Sequence, residues 1–142
     1  MKVLSLFPVI ALALLLSACQ TQGIKEDLAQ AQAPAAKQIG QDAAAYLADN
    51  YPVEGTVWQI TNTAQTPIKT AIAQALRQSG YEVVEILDDQ QTAPAGAQVL
   101  AITSANAPGV IVLTLRLDET RLSRGYDERA GAPLSAWTRR QP

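Results

Sequence analysis

No histidine occurs in the 142 residues, and there is only one cysteine. The first absence removes the commonest general base and the commonest zinc ligand. The second rules out an intrachain disulfide, so hydrophobic burial has to hold the fold together. There is no glycine-rich phosphate loop, and Ser79, Ser104, Ser123 and Ser135 stand in neither a GxSxG nor an SxxK setting. Acidic pairs occur at Asp88-Asp89 and Asp118-Glu119. Neighbours on extended chain point to opposite faces, so neither pair is by itself a catalytic dyad or a calcium site. The sequence therefore points away from an enzyme, and it implies no metal and no cofactor. A membrane-crossing helix needs roughly 20 apolar residues. The longest apolar stretch, Val3 to Leu16, is shorter and is interrupted by Ser5 and Pro8.

That stretch follows the basic start Met1-Lys2 and ends in the small residues Ser17 and Ala18. Basic start, short apolar run and small-residue cleavage region are the parts of an export signal peptide, here residues 1–18. Leu16-Ser17-Ala18-Cys19 resembles the bacterial lipobox, in which a signal peptidase cuts before a cysteine whose sulfur carries a diacylglycerol. The resemblance makes Cys19 a lipid anchor, and two or three acyl chains exceed what stable membrane attachment requires. An acylated Cys19 leaves no thiol for nucleophilic catalysis or thiolate metal binding. In enteric-type bacteria an aspartate after the cysteine retains a lipoprotein at the inner membrane. Gln20 at that place implies the periplasmic leaflet of the outer membrane.

The mature chain suffices for one small domain. Residues 19–36 read as the lipidated cysteine and a flexible tether, rich in Gln and Ala and without aromatics. A short helix over 24–32 is compatible with Ile24 and Leu28 four apart. Residues 37–142 read as a single periplasmic α+β domain with an irregular C-terminal tail. Without Lys2 the chain has 10 basic and 13 acidic residues, a net charge of −3. Nucleic-acid-binding domains are usually basic overall, so direct nucleic-acid binding is not expected. The charge is uneven. Residues 20–115 have a net charge of −5, whereas residues 116–142 carry six arginines against four carboxylates, a net of +2. This end is either an ordinary solvated surface or an electrostatic docking patch.

Ile39, Ala43, Tyr46, Leu47 and Asn50 recur at helical spacing from residue 35, and Tyr51-Pro52 stops the helix. The alternation in GTVWQIT, 55–61, predicts a strand. Thr66 and Pro67 suit a helix cap and first position, Ile68, Ile72, Ala75 and Leu76 form its stripe, and Gly80 ends it. YEVVEIL, 81–87, predicts a second strand parallel to the first. AQVLAIT at 97–103 and GVIVLTLRL at 109–117 read as a hairpin across the linker SANAP, with further extended chain from Thr120 to Tyr126. Leu113 and Leu115 are expected on one covered face of the most apolar strand. The order α-β-α-β-β-β-(β) implies a small mixed β-sheet with two helices packed on one face.

The tail from Asp127 has no period, yet it contains Trp137 followed by Arg139 and Arg140. An aromatic beside arginines is the mixture enriched at protein interfaces, which makes these three residues candidates for partner docking. The alternative is that Trp137 folds back as a plug over its own sheet.

The lipobox at 16–19, ALRQSGYEVV at 75–84, LSRGYD at 122–127 and APLSAWTRR at 132–140 occur in that order. This sequence resembles the TrbH family of conjugal transfer proteins, small lipoproteins encoded with type IV secretion systems. The resemblance implies a non-catalytic structural component of the mating-pair-formation apparatus. Its partners would be membrane lipid through Cys19 and the periplasmic and outer-membrane core subunits of the channel. The residues alone also allow a free-standing periplasmic lipoprotein that binds a ligand or peptidoglycan.

Overall fold

A computed structural model of the chain describes residues 33–142. The signal segment, Leu16, Ser17, Ala18, Cys19 and the first part of the tether lie outside the described residues. The described elements are α1 (Ala33–Asn50), β1 (Val57–Thr61), α2 (Pro67–Gln78), β2 (Glu82–Ile86), β3 (Gln98–Ala107), β4 (Val110–Leu117), β5 (Thr120–Asp127) and β6 (Thr138–Arg140). The strands form one sheet in the order β2-β1-β3-β4-β5-β6. β1 runs parallel to both β2 and β3, and the remaining pairs are antiparallel. The fold is thus α+β, with a mixed sheet and two helices, as the sequence pattern predicts.

Each element follows from local chemistry. The Thr66 side chain accepts a hydrogen bond from the Lys69 amide, and Pro67 opens α2, where its missing N–H is no loss. The ordered return of the chain after α2 uses Gly80 at φ +94. Buried Ile39, Ala43 and Leu47 of α1 and Ile68, Ile72 and Leu76 of α2 meet alternate residues of the strands. Those strand residues are Trp58 and Ile60, Leu100 and Ile102, Leu113 and Leu115, and Leu122 and Tyr126. Both Leu113 and Leu115 are fully buried, on the face the strand pattern assigned them. The helices touch each other closely. A Cβ on Gly40 would lie 2.6 Å from the Ala71 carbonyl carbon, so only a glycine permits this approach.

Polar groups close the ends of the core. Buried Asn62 donates to Thr70 Oγ1 at 3.2 Å and to Glu85 Oε1 at 3.0 Å, and its own oxygen accepts from the Thr66 amide. Arg77 completes the group by pairing with Glu85 at 2.8 Å. At the C-terminus of α1, the Tyr81 hydroxyl donates to the Tyr51 carbonyl at 2.7 Å, satisfying an oxygen near the helix end. Burial raises the Tyr81 pKa above its ordinary value.

Three boundaries differ from the sequence reading. α1 begins at Ala33, so the tether boundary expected at residue 36 falls inside the helix, where Ala35 and Ala36 are buried. The linker SANAP is mostly strand: Ser104, Ala105 and Asn106 pair with Leu113, Val112 and Ile111. A neighbouring apolar strand supplies a full ladder, which outweighs the weak strand preference of these residues. The hairpin instead turns at Pro108-Gly109, with Gly109 at φ +76, where proline suits the first central position and glycine the second. Finally, the tail contains β6, whose Arg140, Arg139 and Thr138 pair with Arg121, Leu122 and Ser123. Three residues are too few to show a period, so only pairing reveals this strand.

Candidate functional site

The C-terminal segment returns to β5 through a chain of side-chain contacts. The Ser135 hydroxyl accepts from the Gly125 amide at 3.0 Å, and Arg124 Nε donates to the Ser135 carbonyl at 2.7 Å. Arg124 reaches across to α1 as well, placing Nη1 3.1 Å from Asp42 Oδ1 and 2.9 Å from Oδ2. The Tyr126 hydroxyl donates to Asp42 Oδ2 at 2.7 Å. Its pKa is pushed far above the usual tyrosine range, first by burial, then by the hydrogen bond to Asp42 and the charge of that carboxylate, with Arg124 opposing.

Trp137 lies on this cluster. Its ring centroid is 4.9 Å from that of Tyr46 on α1 and 6.4 Å from that of Tyr126, and the Arg124 guanidinium sits 5.8 Å from it. These are the distances of aromatic and cation–π contacts. Trp137 is half-buried against the core, and its Nε1 has no hydrogen-bond partner among the described residues. The indole therefore occupies the fold-back position over its own sheet and fastens β6 to the domain. Arg139 and Arg140 follow at once and are exposed.

Strand parity sorts the remaining arginines. Leu115 and Leu122 point to the helices, so Arg116, Arg121 and, by register, Arg140 emerge on the opposite face. That face of β3–β6 has no helix over it, and Val99 and Val112 are exposed there. Among the described residues the ion pairs are Arg77–Glu85 and Arg124–Asp42, so Arg116, Arg121, Arg139 and Arg140 enter none.

A concavity of about 390 Å³ follows the seam between the helices past Ala36, Lys37, Thr70 and Ala71. No group of histidine, cysteine, aspartate or glutamate side chains able to hold a metal ion occurs among the described residues. No helix among them is long and apolar enough to cross a membrane. Sequence reasoning singled out the tail but missed Asp42, Ser135 and the division of the arginines, since each depends on which distant element lies opposite.

None of the curated proteins and none of the solved structures compared with the chain is significantly similar to it. A family model does match, that of the conjugal transfer protein TrbH, over residues 19–141. Because that span covers most of the sequence, including every element of the sheet and both helices, the chain belongs to the TrbH family of conjugal transfer proteins.

Proposed function

We propose that the protein is an outer-membrane lipoprotein that serves as a non-catalytic structural component of a conjugative type IV secretion apparatus. The family match over residues 19–141 carries the assignment to conjugal transfer. Its first matched residue is Cys19, the residue the lipobox would make the start of the mature chain. In this reading Cys19 holds the protein in the periplasmic leaflet and the residues after it form a tether. The domain then binds core subunits of the channel through its C-terminal segment. Trp137 acts by holding β6 in place, and the exposed Arg139 and Arg140 meet the partner.

Two measurements test the reading. Labelled fatty acid should enter the wild-type protein, while Cys19→Ser should abolish labelling and leave the larger precursor. Normal processing and membrane retention of Cys19→Ser would defeat the anchor. Arg139→Ala with Arg140→Ala should keep the domain folded and anchored yet lower DNA transfer between cells. Unchanged transfer would remove these two residues from docking.

A further inference from the structure

The open face of the sheet carries an ordered arrangement of charge. Register places Ala101, Arg116, Arg121 and Arg140 side by side on β3, β4, β5 and β6. Adjacent strands lie about 4.8 Å apart, so three guanidinium stems rise within roughly 10 Å of one another. All three arginines are exposed, and none has an ion-pair partner among the described residues. Asp118 and Glu119, two residues along the chain from Arg116 and Arg121 in the intervening turn, form no ion pair among the described residues. One step up the strands runs a row of hydroxyls, Thr103, Thr114, Ser123 and Thr138. Thr114 and Ser123 already share a hydrogen bond of 3.1 Å, and the Thr138 hydroxyl donates to the Ser123 carbonyl at 3.2 Å. A depression of about 350 Å³ is lined by Thr114, Arg121, Ser123, Thr138, Arg139 and Arg140.

Like charges directly opposite on neighbouring strands destabilise a sheet. Three in succession with no ion-pair partner among the described residues work against the fold, and a bound polyanion would relieve the repulsion. Guanidinium forks bind carboxylates through paired hydrogen bonds, and a hydroxyl whose proton is not already committed can donate to the same oxygens. We propose that the Arg116–Arg121–Arg140 row and its adjoining hydroxyls bind a carboxylate-rich segment of a partner protein. This rests on the reading of the protein as a docking component, and it names the surface and the chemistry of what docks.

Two other polyanions fit less well. A membrane surface is disfavoured by direction. Ala35, in the first turn of α1, touches the turn at Gly131 beyond the end of β5, and Asp42 then meets Arg124 and Tyr126. α1 therefore runs antiparallel to β5, and its 18 residues extend about 27 Å. The first turn of α1 lies at the end of the sheet opposite Arg121, on the other face. The arginine row thus faces away from the N-terminal end of the described domain. Single-stranded nucleic acid is disfavoured by the lack of a stacking platform. All six described aromatics, Tyr46, Tyr51, Trp58, Tyr81, Tyr126 and Trp137, belong to the helix-side core or pack against it.

The test uses the full mature chain, purified from whichever cell fraction contains it, and the variant Arg116→Gln/Arg121→Gln/Arg140→Gln. The probes are a fluorescent oligo-glutamate peptide, an oligo-glutamine peptide, an oligothymidylate and phosphatidylglycerol vesicles. Oligo-glutamate should bind the wild type, weaken as salt rises, and bind the variant roughly tenfold or more weakly. The glutamine peptide should not bind. The variant should melt at the same temperature or higher, because repulsion has been removed. Equal affinity of both proteins for oligo-glutamate would overturn the proposal. So would tighter, arginine-dependent binding of the oligothymidylate or the vesicles. Concentration-dependent self-association that vanishes in the variant would assign the row to a second copy of the chain and overturn it too. A large fall in melting temperature would make the row structural, with the same consequence. DNA transfer is scored separately. Unchanged transfer after deletion of the whole protein would defeat the docking-component reading alone, leaving the carboxylate surface standing.

Discussion

β5 carries two arginines three residues apart, and they meet opposite surroundings. Arg124 faces the helices, pairs with Asp42 at 2.9 Å, donates to the Ser135 carbonyl and lies against two aromatic rings. Arg121 faces away, exposed, in a row of like charges with no ion-pair partner among the described residues. One arginine joins three parts of the chain, namely α1, β5 and the tail. The other makes no ion pair among the described residues and stays exposed. Both are arginines of one strand an odd number of residues apart, so strand parity puts them on opposite faces.

The same parity can be broken most visibly on β4. Leu113 is fully buried and Val112, its neighbour, is 38% exposed. Leu113→Ala should lower stability by about 2–5 kcal/mol, whereas an exposed change such as Val112→Ala should stay within about 1 kcal/mol. Chemical denaturation of both variants checks this, and similar losses would mean that the two faces are not distinct. On β5, Arg124→Ala should cost about 2–3 kcal/mol, because it leaves the Asp42 carboxylate half-buried with only Tyr126 as a side-chain donor. Arg121→Ala should remain within about 0.5 kcal/mol. If the two arginine variants denature alike, the contrast between them fails.

Trp137→Ala should fall lower on the same scale, at about 1–3 kcal/mol, since a half-buried ring and its aromatic contacts are lost. Trp137→Phe should recover most of that, because the ring is kept while the unpartnered indole N–H disappears. A full loss with phenylalanine would point to a hydrogen bond made by the indole nitrogen.

The smallest effect concerns alkaline pH. Tyr126 holds its proton in the folded state, whereas the unfolded chain releases it near pH 10. Its contribution is complete below that value and declines as pH rises above it, because the unfolded form alone ionises. The melting temperature should therefore drop above about pH 10, and less steeply in Tyr126→Phe, when both are compared with their own values at pH 8. Parallel curves would show that the Tyr126 hydroxyl is not shielded by its contact with Asp42.

Much of this molecule is legible in its residues because the signals are local. The α2 stripe, its Thr66-Pro67 start and the Gly80 exit depend on residues within a few positions of one another. So does the alternation that placed Leu113 and Leu115 on the covered face. The family resemblance was likewise visible in short motifs, and the match over residues 19–141 agrees with it. Other features depend on partners far along the chain. Ser104 to Asn106 became strand only because β4 folds back to pair with them. β6 forms where the chain pairs with β5, beside the Trp137 indole set against Tyr46 of α1 and Tyr126 of β5, contacts that no periodicity of a three-residue strand could announce. The excess of arginine after residue 115 is plain from composition. Which of those arginines holds the fold, and which three stand together on an open face, was decided by the register of four strands. A side chain's face is a local property, but its neighbours on that face come from other strands.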